Sequence, residues 1–154
     1  MDGCGGNRLN LLLSWGGWRP DSWADHMACL LEPMGVSSLK ASTVRQAEQV
    51  IRRTDVHIAV VDLGLPLDSR HPQQEGGLRI LDLLARLKNP PPTVIVKSTR
   101  NTRDAMRDMS AALRFDAFAV VDRGSADIEM MLKILQRALD RFYRGQWPTP
   151  PVPP

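Results

Sequence analysis

The sequence predicts an α/β domain in which a five-stranded parallel sheet lies between two layers of helices. Strand-sized apolar runs alternate with segments of helical periodicity five times, which is the pattern of a parallel sheet with crossover helices. The 154 residues suffice for one domain with a single core. Hydrophobic residues make up 43% and charged residues 24%, a composition typical of globular proteins.

The predicted elements lie between a short leader, residues 1–8, which we expect to be flexible, and a proline-rich tail, residues 145–154. The five strands are apolar runs that cover residues 9–14, 36–41, 57–62, 93–98 and 117–121. The five helices carry apolar residues at helical spacing and cover residues 21–34, 43–53, 75–88, 102–113 and 125–144. We therefore expect one domain over residues 9–144.

Capping residues define the helices of the first half. Asp21 or Ser22 is a favourable N-cap for the first helix, and Gly35 ends that helix. Ser42 or Thr43 caps the second helix. The apolar residues predicted to share its inward face are Val44, Ala47, Val50 and Ile51.

Asp62 ends the third predicted strand, and Pro66 fixes the turn that follows. The carboxyl ends of the strands form the ligand crevice of an open parallel sheet, so Asp62 is the leading candidate for a functional residue. An irregular polar stretch, residues 67–74, leads to the third helix. The residues predicted to face inward on that helix are Leu78, Leu81, Leu84 (or Ile80) and Leu87.

Proline and serine mark the elements of the second half. Three consecutive prolines, residues 90–92, stop the third helix and begin the fourth strand. A fourth helix and a short fifth strand follow, and Ser125 caps the last helix. The predicted inward stripe of the last helix consists of Ile128, Met131, Leu132, Leu135, Leu139 and Phe142.

Composition and charge exclude several classes of function. The apolar runs are far shorter than the roughly 20 residues of a membrane-spanning helix, and the first residues lack the regions of a signal peptide. We therefore expect a cytoplasmic protein without membrane contact. The formal charge of +3 is modest, which gives no argument for direct nucleic-acid binding. Cys4 and Cys29 fit a reducing compartment and form no zinc motif.

The string Asp62-Leu63-Gly64-Leu65-Pro66, set in this alternation of strands and helices, resembles the receiver domain of two-component response regulators. The resemblance covers nearly the whole chain up to the tail, and residues 30–35 and 77–81 also fall where receivers carry similar sequences. It implies a flavodoxin-like (βα)5 fold. It also implies that Asp62 stands at the position of the phosphoacceptor, and Ser98 at the position that contacts the phosphoryl group.

The chain departs from the family at the positions that supply charge. Receivers place an acidic pair after the first strand to hold a divalent cation, and a lysine at the end of the fifth strand. The residues that stand at these places are Ser14, Trp15, Gly16 and Asp122. A phosphoaspartate carries about two negative charges, which would be poorly compensated here. We therefore expect no Mg²⁺ site, no other cofactor and no standard phosphorylation.

Two basic residues near the crevice are alternative cations. Arg123 follows Asp122, and Lys97 lies near the end of the fourth strand. We interpret both as solvated charges at the rim of the crevice. Asp62 is then a strand-end carboxylate hydrogen-bonded to neighbouring backbone or to Ser98.

Two further features lie near the predicted crevice. Residues 68–74 lengthen the connection after the third strand, and we interpret them, including His71, as a tolerated surface loop. Trp15, Trp18 and Trp23 cluster in the first connection. We favour the interpretation that they fill the space vacated by the acidic pair; the alternative is a stacking platform for a nucleotide or an anchor for a partner protein.

The resemblance leaves protein binding as the expected function. In receivers the fourth helix, fifth strand and fifth helix form a face that dimerises or contacts partners. The residues we predict on that face are Arg107, Met130, Ile134 and Tyr143. We expect a non-enzymatic, atypical receiver that binds a histidine kinase or an output protein, or forms a homodimer through this face. The alternatives are a conventional regulator with Asp62 as phosphoacceptor and a small nucleotide-binding flavodoxin-like protein.

Overall fold

The computed structural model describes residues 9–15, 21–70, 76–97, 102–123 and 127–143. The strands are β1 (Leu9–Ser14), β2 (Val36–Ala41), β3 (Ile58–Asp62), β4 (Thr93–Lys97) and β5 (Ala119–Asp122). The helices are α1 (Asp21–Leu31), α2 (Val44–Arg53), α3 (Gly77–Ala85), α4 (Thr102–Arg114) and α5 (Ile128–Tyr143). No helix in these segments is long and apolar enough to cross a bilayer.

All five strands pair in parallel in the order β2-β1-β3-β4-β5. This confirms the predicted flavodoxin-like α/β fold. One core cluster joins the sheet to α1 and α5, and the other joins it to α2, α3 and Ala112 of α4. The chain leaves β1 and β3 in opposite directions across the sheet, so their carboxyl ends border a crevice. Asp62 lies at this edge.

The C-terminal end of α1 and the N-terminal end of α2 carry the capping residues that the sequence predicts. A 3-10 turn over Glu32–Met34 extends α1, and Gly35 closes it in the left-handed conformation with φ 84°. Thr43 caps α2, because its hydroxyl accepts a hydrogen bond from the Gln46 amide at 3.1 Å. The Gln46 side chain in turn accepts from the Ser42 amide at 2.8 Å, a variant of the capping box.

The start of α2 is also fastened to the segment after β3. The Val44 amide donates to the carbonyl of Pro66 at 2.9 Å, and the Arg45 amide donates to that of Leu67 at 3.3 Å. These bonds satisfy amides that a helix cannot pair internally. The chain leaving Asp62 is therefore held against the neighbouring helix.

Helix α3 is shorter than predicted, and its inward face is rotated. It begins at Gly77 and ends at Ala85, before the prolines, in a turn where the Arg86 amide donates to the Leu83 carbonyl. Leu78, predicted to face inward, is 38% exposed. The close approach of Gly77 to the end of β3 sets the helix rotation. The buried residues follow at helical spacing and are Gly77, Ile80, Leu81 and Leu84.

Helix α5 begins at Ile128, where the Asp127 carboxylate accepts a hydrogen bond from the Met130 amide at 2.8 Å. Asp127 thus provides the capping oxygen; the predicted cap Ser125 lies outside the described residues. The predicted stripe is confirmed at Met131, Leu135 and Leu139, which are buried, with Ala138 added to it. Phe142 is 48% exposed, so its predicted inward position is wrong.

Tyr143 and Ile134 are more buried than predicted. Tyr143 is half-buried, and its hydroxyl donates to the carbonyl of His57 at 2.5 Å, while the two rings meet edge to face. The last turn of α5 lies beside the start of β3, so position 143 rather than 142 faces the sheet and finds a polar partner there. Ile134 packs partly against the core. Met130 is exposed, as predicted.

We predict that Gly77→Ala destabilises the fold through a backbone clash. A Cβ at this position would lie 2.5 Å from the Leu63 Cα, and backbone atoms give way less easily than side chains. The expected loss is about 2 kcal/mol in the free energy of urea unfolding. Leu78→Ala at the neighbouring exposed position is the control and should cost less than about 1 kcal/mol. Equal losses in the two variants would contradict the close approach.

We predict that Tyr143 makes stability fall at alkaline pH. Burial raises the pKa of its phenol above the ordinary value of 10.0, so the unfolded chain ionises first and stability declines as pH rises above about 10. Tyr143→Phe should cost about 1 kcal/mol at neutral pH, for the lost hydrogen bond, and should remove this part of the decline. Urea unfolding across alkaline pH measures both. Phe142→Leu should keep the wild-type pH profile; a similar profile for both variants would exclude Tyr143 as the cause.

Candidate functional site

Asp62 is fully buried at the carboxyl end of β3. Its Oδ1 accepts a hydrogen bond from the Gly64 amide at 2.9 Å, and its backbone carbonyl accepts one from the Leu65 amide at 3.0 Å. The Leu63 amide donates to the Val96 carbonyl of β4 at 3.0 Å, which continues the sheet ladder by one residue. The Asp-Leu-Gly-Leu string therefore forms a tight turn around its own carboxylate.

Arg123 forms an ion pair with this carboxylate. Its Nη2 donates to Oδ1 at 2.8 Å and to Oδ2 at 2.9 Å. The Arg123 side chain is only 22% exposed, whereas that of Asp62 is 0% exposed. A buried carboxylate requires such a partner, because an isolated ion loses its hydration without compensation. The expectation that Arg123 is a solvated rim charge is therefore wrong.

The cation of the site is Arg123, one residue after the position at which the resemblance predicts a lysine. Asp122, which stands where the resemblance predicts a lysine, is the last residue of β5 and is exposed. Successive residues of an extended chain point to opposite sides, so the next residue can face the crevice. The long side chain of Arg123 then crosses above β4 to reach β3. Lys97, the other candidate, is partly buried at the end of β4.

Ser14 and Trp15 fill the end of β1 in a way that does not fit a magnesium site. The fully buried Ser14 hydroxyl donates to the Val60 carbonyl at 2.6 Å and accepts from the Asp62 amide at 3.4 Å. Trp15 is 6% exposed and belongs to the core. Mg²⁺ requires an octahedron of hard oxygen ligands, and an engaged hydroxyl beside an indole does not provide them. Within the described segments, no three His, Cys, Asp or Glu side chains form a metal-binding group.

The buried tryptophans support the interpretation that they fill space. Trp23, on α1, is 6% exposed and shares a core cluster with Trp15. Neither indole is exposed as a stacking platform for a nucleotide. Trp18 lies outside the described residues, as do Gly16, His71 and Ser98. The predicted phosphate contact of Ser98 therefore stays a prediction.

No family model and no curated protein matches the chain. Solved structures do match. A response regulator receiver domain (CheY-like) from Methanospirillum hungatei JF-1 aligns with TM-score 0.68 and 17% identity over 90% of this chain and 98% of its own. The signal receiver domain of an HD domain-containing protein from Pseudomonas fluorescens Pf-5 aligns with TM-score 0.67 and 16% identity over 88% and 98%.

The chain has the receiver fold. A response regulator from Burkholderia pseudomallei, solved with a phosphorylated aspartic acid, a calcium ion and citrate, aligns with TM-score 0.61 and 21% identity over 86% of this chain and 70% of its own. These identities are low, so the similarity establishes the architecture. The chemistry of this receiver fold depends on its own residues.

We predict that Asp62 and Arg123 are strongly coupled in stability. Arg123→Gln should cost about 3 kcal/mol, because it leaves a buried carboxylate without its cation. In a double-mutant cycle with Asp62→Asn, the coupling energy should reach about 2 kcal/mol by urea unfolding.

The control cycle uses Asp82 of α3 and Arg86, the residue that directly follows this helix; both side chains are exposed, and their nearest charged atoms lie 3.1 Å apart. Its coupling should stay below about 0.5 kcal/mol. A coupling between Asp62 and Arg123 as small as that of the control pair would mean that the ion pair is not maintained in solution.

Proposed function

We propose that this protein is a phosphorylation-independent receiver domain that acts as a protein interaction module in signalling. The observation that carries the proposal is the ion pair between the buried Asp62 carboxylate and Arg123. Its fold is that of receiver domains, and the module would act in the cytoplasm on a histidine kinase or an output protein. This last step is an analogy at the level of the fold.

Phosphoryl transfer to Asp62 would require a free carboxylate oxygen to attack phosphorus. Both carboxylate oxygens accept hydrogen bonds from Arg123, and Oδ1 also accepts one from the Gly64 amide. The side chain has no solvent exposure. An incoming phosphodonor would have to displace the guanidinium before it could reach either oxygen, and no set of carboxylates stands at Ser14 and Trp15 to replace that charge with a metal ion.

Arg123 therefore changes the reason for expecting that Asp62 is not phosphorylated. The site holds a cation, contrary to the predicted deficit of positive charge, but this cation contacts the unmodified carboxylate. An interaction that stabilises the ground state does not accelerate a reaction unless it becomes stronger in the transition state. We propose that the arginine keeps Asp62 in its unmodified, buried form.

Acetyl phosphate with Mg²⁺ tests the proposal directly. We expect no phosphoryl adduct on the wild-type protein in an intact-mass measurement, while a receiver that retains the acidic pair and the lysine is phosphorylated in the same solution. Beryllofluoride with Mg²⁺ should likewise leave the tryptophan fluorescence unchanged. Trp15 would report binding at Asp62, because it lies next to Ser14 at the crevice.

Asp62→Asn and Asp82→Asn serve as matched variants for this experiment, since Asp82 is an aspartate on α3 away from the crevice. An adduct that forms on the wild type and on Asp82→Asn but not on Asp62→Asn would establish a conventional phosphorylatable regulator. The proposed independence from phosphorylation would then be wrong.

A further inference from the structure

A cavity of about 310 Å³ lies at the end of the sheet opposite the Asp62 crevice. It is bordered by Thr93, the first residue of β4, whereas Asp62 is the last residue of β3. Parallel strands begin at one edge of a sheet and end at the other, so the two sites lie far apart. The floor of the cavity is apolar, since Leu84 and Ile95 contribute to it from the core. Its volume is at the lower end of the range for ligand sites.

Aromatic rings and prolines border this cavity. Phe142, in the last turn of α5, is 48% exposed and meets Phe118 edge to face, with ring centroids 6.0 Å apart. Phe115 follows α4, and the guanidinium of Arg114 lies over its ring at 4.6 Å. The prolines at residues 90–92 form another part of the wall. Grooves lined by aromatic residues are the sites at which proteins bind proline-rich segments.

Hydrogen bonds hold the walls of the cavity in place. The Ala59 amide donates to the Pro92 carbonyl at 3.1 Å, and the Thr93 hydroxyl donates to the Pro91 carbonyl at 3.1 Å. The Phe118 amide donates to the Thr93 carbonyl at 2.8 Å, which fixes the segment between α4 and β5. A cavity with such walls is formed before anything binds, so little conformational entropy is lost when it is filled.

The proline-rich tail, residues 145–154, begins close to the cavity in sequence. It lies outside the described residues, but its composition is clear: one tryptophan, five prolines and no charged side chain. Trp147 is five residues after Phe142, and an extended chain spans at most about 3.5 Å per residue, or about 17 Å here. A reversal is sterically easy at Gly145, because glycine has no Cβ. The tail is therefore able to reach a cavity that Phe142 itself borders.

We propose that the tail folds back and docks in this cavity, with its tryptophan on the apolar floor and its prolines against the aromatic rim. An indole side chain buries a large apolar area, and proline-rich segments lose little freedom on docking because they are already restricted. A buried indole N–H requires an acceptor, and Asp116, which borders the cavity, carries a carboxylate. Docking would also cover part of the exposed Phe142 ring.

Covalent attachment favours this occupant over a proline-rich peptide of another protein. A short tether raises the effective concentration of the tail at the cavity to the millimolar range, so only a tight free ligand would displace it. The tail of a second copy offers the same contacts but also loses the freedom of association. The inference goes beyond the proposed function and is independent of it, because the cavity and Asp62 lie at opposite ends of the strands.

Nuclear Overhauser effects in the full chain, with labelled leucine and isoleucine methyl groups, test the proposal. We expect contacts between the Trp147 indole and the methyl groups of Leu84 or Ile95. Trp147→Phe assigns the indole signals among the four tryptophans. A mixture of labelled and unlabelled chains separates contacts within one chain from contacts between chains. The absence of these contacts, or contacts between chains alone, would overturn the proposal.

A fluorescein-labelled peptide with the sequence of residues 145–154 gives a second measurement, by anisotropy. The tail of the wild type competes with this peptide, so Trp147→Ser should bind it at least about tenfold more tightly than the wild type does. Adding Phe142→Gln to Trp147→Ser should weaken peptide binding about tenfold, because it removes an aromatic contact. Adding Ala85→Glu, a charge at an exposed position that borders the cavity, should have a similar effect.

The control for position is Met106→Gln in the Trp147→Ser background. Met106 is 68% exposed on α4 and does not border the cavity, so peptide affinity should stay unchanged. Phe142, Ala85 and Met106 are all exposed, so these variants should keep the fold, which circular dichroism checks. Equal peptide affinity of the wild type and Trp147→Ser would show that the tail does not fill the cavity. An equal loss in Met106→Gln and Phe142→Gln would contradict the location.

Discussion

The ion pair between Asp62 and Arg123 is the interaction on which the architecture of the crevice depends. A carboxylate at the end of a central strand, with no exposure to water, is tolerated only with compensating hydrogen bonds and charge. The guanidinium supplies the charge from the residue after β5, and the turn after β3 supplies an amide donor. The pair thereby links the ends of two strands that are separated in the sheet by β4. Ser14 adds a neutral link between β1 and β3.

Much of the fold could be predicted because its signals are local. Apolar runs located β1 and β2 to the residue, and Gly35 and Thr43 stand where glycine and threonine end and begin helices. Helix α3 was harder, since several rotations of a leucine-rich segment bury similar area. The contact between Gly77 and the backbone of Leu63 selects one of them, and that contact joins residues distant in sequence.

The site and α4 show what periodicity does not determine. A resemblance assigns a role to a position, yet Arg123 fulfils the role of a cation from the adjacent position because its side chain is long enough. On α4, the apolar pattern alone would turn Met109 and Leu113 inward. The structure turns Ala111 and Ala112 inward instead, so that bulky side chains are left outside. Both results depend on packing between elements, which the linear pattern does not contain.

The attachment of the segment after β3 to α2 has a consequence for how this chain can vary. The carbonyl groups of Pro66 and Leu67 make the two contacts with the first amides of α2. Every amino acid carries a carbonyl, so substitutions that keep the backbone path preserve this anchor whatever side chain they introduce. Substitutions can therefore change the side chains that the segment after Asp62 exposes, while the backbone hydrogen bonds that hold this segment against α2 are kept.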